Sequence, residues 1–148
     1  MISRRTAMVA AAAAGAGLMA GPGAFAQPPA SPEMPLVRID IGKSASAERI
    51  RAVSDVIHDA LMEAGVPAQD RFHIVARHGS GEIVYPEAGY LGMEYSPELI
   101  LIQIFWGSGR SVAEKKRLYR SIADGIHERQ AVRKEDIWIS LVETGRSD

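Results

Sequence analysis

The sequence predicts an α+β domain in which two βαβ repeats form a four-stranded sheet with both helices on one face. Three observations carry that expectation. One register lays the first half of the domain on the second. Each copy reads strand, helix, strand. The strands are too apolar to face water on either side.

The repeat is seen by placing Glu48 on Glu114. Arg51 then falls on Arg117, Val66 on Val132, Asp70 on Asp136 and Val75 on Leu141 without a gap, and Leu36–Ile41 lies on Ile102–Gly107. Identities are few, so hydrophobic period carries the argument. In the first copy, Leu36 to Ile41 alternates in part, as a half-buried strand does. Ser46 can cap a helix with Glu48 in its first turn. Ile50, Val53, Ile57, Ala60, Leu61 and Ala64 then share one helical face, and Gly65 with Pro67 ends it. Phe72, Ile74 and Ala76 begin the next strand.

In the second copy, Leu99 to Trp106 is a nearly continuous apolar run, which suits a strand covered on both faces. Ser111 with Glu114 forms a capping box. Leu118, Tyr119, Ile122, Ala123 and Ile126 make the helical stripe, and Ile137, Ile139 and Leu141 alternate in the last strand. Between the copies, residues 77–97 read as a glycine-rich loop with one short strand, Glu82–Tyr85. Right-handed crossovers place both helices on one face of the sheet. No sequence is left over to cover the other face, and another subunit is its natural cover. The small size of the domain points the same way.

The first 34 residues read as an address and a linker. Arg4 and Arg5 precede an apolar run from Ala7 to Ala20, and Ala24-Phe25-Ala26 offers a small-x-small cleavage site. We read residues 1–26 as a signal peptide of the twin-arginine type, 27–34 as a Pro-rich linker and 35–148 as the domain. Export to the periplasm follows if the signal is genuine. If Met34 is the true start, the protein is cytoplasmic. The apolar run is too short for a membrane span, so none is expected in the mature protein. Seventeen basic residues against eighteen acidic ones give no nucleic-acid surface. With no cysteine, thiolate metal sites, disulfides and a Cys nucleophile are excluded. His58, His73, His78 and His127 lack metal-ligand spacing, and no metal or cofactor is expected.

The stretch Met34-Pro35-Leu36-Val37-Arg38-Ile39-Asp40 resembles the start of tautomerase superfamily proteins, the 4-oxalocrotonate tautomerase and macrophage migration inhibitory factor fold. In those proteins the initiator Met is removed and Pro becomes the N-terminus. Val66 to Val75, Gly109-Arg110-Ser111, Glu114 to Tyr119 and Val142 to Gly145 are similar to malonate semialdehyde decarboxylase and its relatives. The resemblance spans Pro35 to Asp148 and implies a β-α-β repeat assembled as a homotrimer. It implies Pro35 as the catalytic proline and Asp70 as its acidic partner. Of the family's two arginines after the third strand, the second falls on Arg110 and the first on Ser108, so one carboxylate-binding arginine is missing.

The chemistry implied is proton transfer by Pro35 on a small 2-oxo or enol carboxylic acid: enol–keto tautomerisation, or decarboxylation or hydration. A terminal proline is a secondary amine, and burial in an apolar pocket makes it a base usable at neutral pH. Arg110 offers a planar fork to a substrate carboxylate, and Trp106 could form an apolar wall. Each residue has an ordinary structural reading as well. Pro35 can simply start a strand, and Trp106 can be core. Asp70 can cap a turn, a reading its repeat partner Asp136 shares. The address and the chemistry also conflict. Cleavage after Ala26 leaves Pro35 inside the chain, where its nitrogen is an amide. Either translation starts at Met34, or a second cleavage exposes Pro35, or the protein is an exported, non-catalytic binding or structural trimer.

Overall fold

A computed structural model describes residues 34–145. The proposed signal and the linker up to Glu33 lie outside the described residues, as do residues 146–148 of the domain. The chain runs β1 (Leu36–Gly42), α1 (Ala47–Glu63), β2 (Phe72–His78), β3 (Ile100–Gly107), α2 (Val112–Gln130), a 3-10 turn (Lys134–Asp136) and β4 (Ile137–Thr144). The strands form one sheet in the order β2-β1-β3-β4. Each helix links a parallel pair, β1 with β2 and β3 with β4, and the two units join through an antiparallel β1–β3 contact. The expected α+β architecture of two βαβ units is therefore the one observed.

Local chemistry sets the helix boundaries. Ser46 accepts a hydrogen bond from the Arg49 amide at 3.1 Å to start α1. Ser111 and Glu114 close the capping box of α2 from both sides. One core joins the sheet to both helices. Val37, Ile39, Ile41, Ile100, Ile102, Ile104 and Trp106 point into it from the strands. Val53, Ile57 and Leu61 meet them from α1, and Leu118, Ile122 and Ile126 from α2, all nearly or fully buried. The helices approach closely at Gly125, where an added Cβ would stand 2.7 Å from Val56 Cγ1.

The repeat is real, but its gapless register is not. Buried Val53, Ile57 and Leu61 correspond to Leu118, Ile122 and Ile126, a shift of 65 residues, and the caps Ser46 and Ser111 share it. Val66 and Asp70 correspond to Val132 and Asp136, a shift of 66. The second copy gains one residue near the end of its longer helix. Leu36–Ile41 therefore does not match Ile102–Gly107, because that pairing would set inward Val37 on outward Gln103. The strand expected at Glu82–Tyr85 is also absent: that stretch is turn and irregular chain, and the loop's one bridge joins Tyr90 to Met93.

Strand β2 runs on through His78, and its inward residues are His73, Val75 and Arg77. Phe72 and Ile74 lie on the sheet's other face and stay 58% and 51% exposed. Leu36, Trp138 and Val142 are exposed on that same face. It is more apolar than a solvated sheet face usually is.

Candidate functional site

The topology brings the expected site residues to one edge of the sheet. Strand β1 begins where β3 and β4 end, because β1 and β3 are antiparallel. Leu36 pairs with Phe105, so the register carried one residue further sets Pro35 opposite Trp106. Trp106 in turn pairs with Glu143 on β4. Pro35 is buried, while Met34 before it is 47% exposed. The chain thus passes from an exposed residue to a buried one just ahead of β1.

Trp106 is only 2% exposed, which places most of the indole in the core. Its ring face carries Arg110, whose guanidinium carbon lies 3.1 Å from the ring centroid. Arg110 Nη1 also donates to the Gly107 carbonyl at 2.6 Å. Stacking and the hydrogen bond together fix the guanidinium against the strand end. Gly109 makes this turn possible with a φ of 116°, a conformation that side-chain-bearing residues rarely adopt. Ser108 donates its amide to Thr144 at 3.0 Å, and its side chain is exposed. It leaves the place of the expected first arginine uncharged.

Sequence reading missed the pair that holds this loop. Lys115, in the first turn of α2, meets the Glu143 carboxylate at 2.8 Å. The Lys115 hydrogen bond, outweighing the cost of burial, holds the Glu143 carboxyl below its usual range, helped by the Gly109 amide and the Arg110 charge. Both residues fall within the segments that carry the family resemblance, which is the one signal that could have found them.

Asp70 stands two residues before β2, at the same edge as Pro35. Its amide donates to Pro67 at 2.9 Å, while its carboxylate makes no hydrogen bond or ion pair among the described residues. Asp136 behaves otherwise. It is 1% exposed and accepts from the Ser96 amide at 2.7 Å, the Ser96 hydroxyl at 2.8 Å and Arg133 Nε at 2.8 Å. Burial would raise its carboxyl, but the Arg133 and Ser96 hydrogen bonds outweigh burial and hold it below the ordinary value. The shared structural role suggested by the repeat therefore fails. Asp136 ties the interstrand loop to β4 at the far edge, and Asp70 is left unengaged at the near one.

Among the described residues no cluster of three or more potential metal ligands occurs, and no helix is long and apolar enough to cross a membrane.

Comparison with known proteins gives a consistent answer. A family model described as "Tautomerase enzyme" matches residues 70–148. The chain is 37% identical over 109 residues to the probable tautomerase YusQ of Bacillus subtilis (strain 168), covering 73% of this chain and 85% of that one. A crystal structure of a malonate semialdehyde decarboxylase inhibited by 3-bromopropiolate superposes with a TM-score of 0.69 at 35% identity, covering 74% of this chain and 83% of that one. A fused 4-OT, described as a symmetric trimer, superposes with a TM-score of 0.64 at 18% identity, covering 76% of this chain and 88% of that one. This last likeness speaks to the fold alone.

Proposed function

This chain belongs to the tautomerase superfamily, and from that premise we propose that it moves a proton on a small 2-oxo or enol carboxylic acid through Pro35. The observation that carries the reading is the meeting at one sheet edge of a buried proline, the Trp106 ring and the guanidinium stacked on it.

The chemistry follows from the surroundings of the ring nitrogen. An ordinary α-amino group titrates near pH ~8. Burial beside an aromatic ring disfavours its cation, and so does a neighbouring guanidinium. Both effects lower the pKa of a free Pro35 amine and favour its basic form. That amine can take the enol hydroxyl proton and, once protonated, return that proton to the substrate's carbon, leaving the ketone and the free base. Arg110 binds the substrate carboxylate with a fork already oriented by its stack on Trp106. Asp70, with its carboxylate unengaged, orients the substrate or exchanges protons with Pro35. The similarity to a malonate semialdehyde decarboxylase supports decarboxylation as a second use of the same groups. In that use a protonated Pro35 polarises the carbonyl oxygen, the bond to carbon dioxide breaks, and its electron pair forms an enolate that is then protonated on carbon.

The open sheet face supports a homotrimer. Leu36, Phe72, Ile74, Trp138 and Val142 leave a wide apolar surface, and a trimer of the kind described for the fused 4-OT would cover it. Light scattering on the purified protein should give three protomers, and a monomeric mass would contradict this.

Catalysis requires that the mature chain begin at Pro35, by initiation at Met34 or by trimming. Met34, the residue that must be lost, is 47% exposed. The signal-like residues 1–26 favour a second reading, an exported trimer in which Pro35 remains an amide and the protein binds without turning over. Mass spectrometry of the natural N-terminus separates the two. A chain starting at Pro35, with turnover of phenylpyruvate enol or 2-hydroxymuconate lost in Pro35→Ala, is the expected result. A chain starting at Gln27 with no turnover would establish the second reading.

A further inference from the structure

The Asp70 segment is tied to α1 by a cluster that neither the fold nor the proposed chemistry accounts for. Arg71 Nη2 donates to Ser54 Oγ at 2.7 Å and to Asp55 Oδ1 at 2.6 Å. Ser54 Oγ lies 2.7 Å from His73 Nδ1. Ser54 Oγ accepts from Arg71, and its hydrogen bond to the ring nitrogen links Arg71 through Ser54 to His73. Burial first, and the Arg71 charge next, push the His73 pKa down to about 4, so the ring is neutral. One turn along the helix, His58 Nε2 meets the Ala68 carbonyl at 2.9 Å. Ser54 and His58 are 9% and 6% exposed, rare burial for polar side chains on a helix face.

The anchored atoms bracket Asp70. Ala68 lies two residues before it, Arg71 one after, and the peptide between is a tight turn with Asp70 N–H donating to the Pro67 carbonyl at 2.9 Å. A core helix would bury apolar groups at these positions more cheaply than a network of four polar side chains. What the network supplies is geometry: it fixes the turn on both sides of a carboxylate that has no bond of its own. We infer that Ser54, Arg71 and His58 are positioning residues that hold Asp70 at the Pro35 edge, an inference that rests on the catalytic reading of Asp70 given above.

The test uses the processed enzyme with a free Pro35 and an enol substrate. Ser54→Ala and Arg71→Lys should lower kcat by about 10- to 100-fold, the scale of a 1 Å misplacement, with KM within about twofold of wild type. The acidic limb of the pH–rate profile should move as well, which a merely structural role would leave in place. Ser54→Thr keeps a hydroxyl and should restore most of the rate. Asp70→Asn separates this inference from the reading beneath it. If Asp70→Asn loses turnover while Ser54→Ala and Arg71→Lys keep wild-type kcat and an unmoved pH–rate profile, the positioning role is overturned and the catalytic reading stands. If Asp70→Asn itself turns over normally, both fall. Should Ser54→Ala fail to fold, Arg71→Lys and Ser54→Thr still decide the matter, since their side chains replace the originals at similar size.

Discussion

Gly125→Ala tests how tightly the helices are pressed together over the sheet. In an exposed helix the change would stabilise by about 1 kcal/mol, because glycine is the poorer helix former. Here the new Cβ would stand 2.7 Å from Val56 Cγ1, a separation real Cβ atoms essentially never show. Val56 is 3% exposed and β-branched within a helix, so it has no second rotamer into which to retreat. Overpacking of this kind costs about 1–3 kcal/mol. The net expectation is a loss of about 0–2 kcal/mol. Val56→Ala alone removes buried methyl groups and should cost about 1.5–3 kcal/mol. In that background the clash is gone and the cavity is partly refilled, so Gly125→Ala should reverse sign and stabilise by about 1 kcal/mol. Urea unfolding of the four proteins of this cycle, at one protomer concentration, measures the coupling. A Gly125→Ala protein more stable than wild type in the Val56 background would show that the helices part freely there, and the close-approach reasoning would fail.

Other consequences are as direct. Asp136→Ala, which strips the partner from Arg133 and Ser96 in a buried place, should cost about 2–3 kcal/mol by urea midpoint. His73, with a folded pKa of about 4 against an ordinary value of 6.5, binds its proton less readily when folded. Its contribution is therefore complete above pH ~6.5 and is lost as the pH falls toward ~4, about 1–2 kcal/mol after screening by solvent. His73→Gln should flatten the stability curve in that window, and an unchanged slope would refute the assignment. Ser111→Ala opens the capping box of α2 and should cost about 1 kcal/mol, visible as a lower thermal midpoint. Arg110→Ala should reduce kcat/KM on an enol carboxylate by about 10- to 100-fold, and retained turnover would remove Arg110 from the site.

The architecture was legible because the residues that build it repeat with a period. Val53, Ile57 and Leu61 announce a helix face without any knowledge of what they pack on, and Ser111 with Glu114 announces where the next one starts. The one-residue difference between copies was not legible, because it sits in a helix end where the apolar stripe pauses and periodicity has nothing to count. The Glu82–Tyr85 segment misled for a related reason. Ile83 and Tyr85 alternate with Glu82 and Val84 as strand residues do, yet no neighbouring strand is placed to pair with them. Pro35 and Arg110 could be singled out only by resemblance, and that they share an edge follows from the antiparallel contact of β1 with β3. The Ser54–Arg71–His73 chain had no signal at all. A serine inside a helix and an arginine before a strand are ordinary in sequence, and only the crossover brings them within 2.7 Å.

The duplication explains why the two ends of the sheet have different work to do. Two similar βαβ units joined by antiparallel strands offer two equivalent edges, one where β1 starts and one where β3 starts. At the β3 edge the chain arrives from a long loop, Leu99 and Ile100 are buried, and Asp136 spends its carboxylate fastening that loop through Ser96 and Arg133. At the β1 edge the described residues begin at Met34, and among them the Asp70 carboxylate fastens no backbone. The same acid at the same place in the repeat is consumed by structure in one copy and left available in the other. On this argument the free edge is a property of the topology, and chemistry can settle there only while β1 has no loop folded back over its start. A segment left attached ahead of Pro35 keeps the ring nitrogen an amide. Removal of that segment should therefore free the Pro35 amine and bring turnover with it. Turnover assays of the long and trimmed chains would detect it, and equal rates in the two would break the link between the free amine and the site.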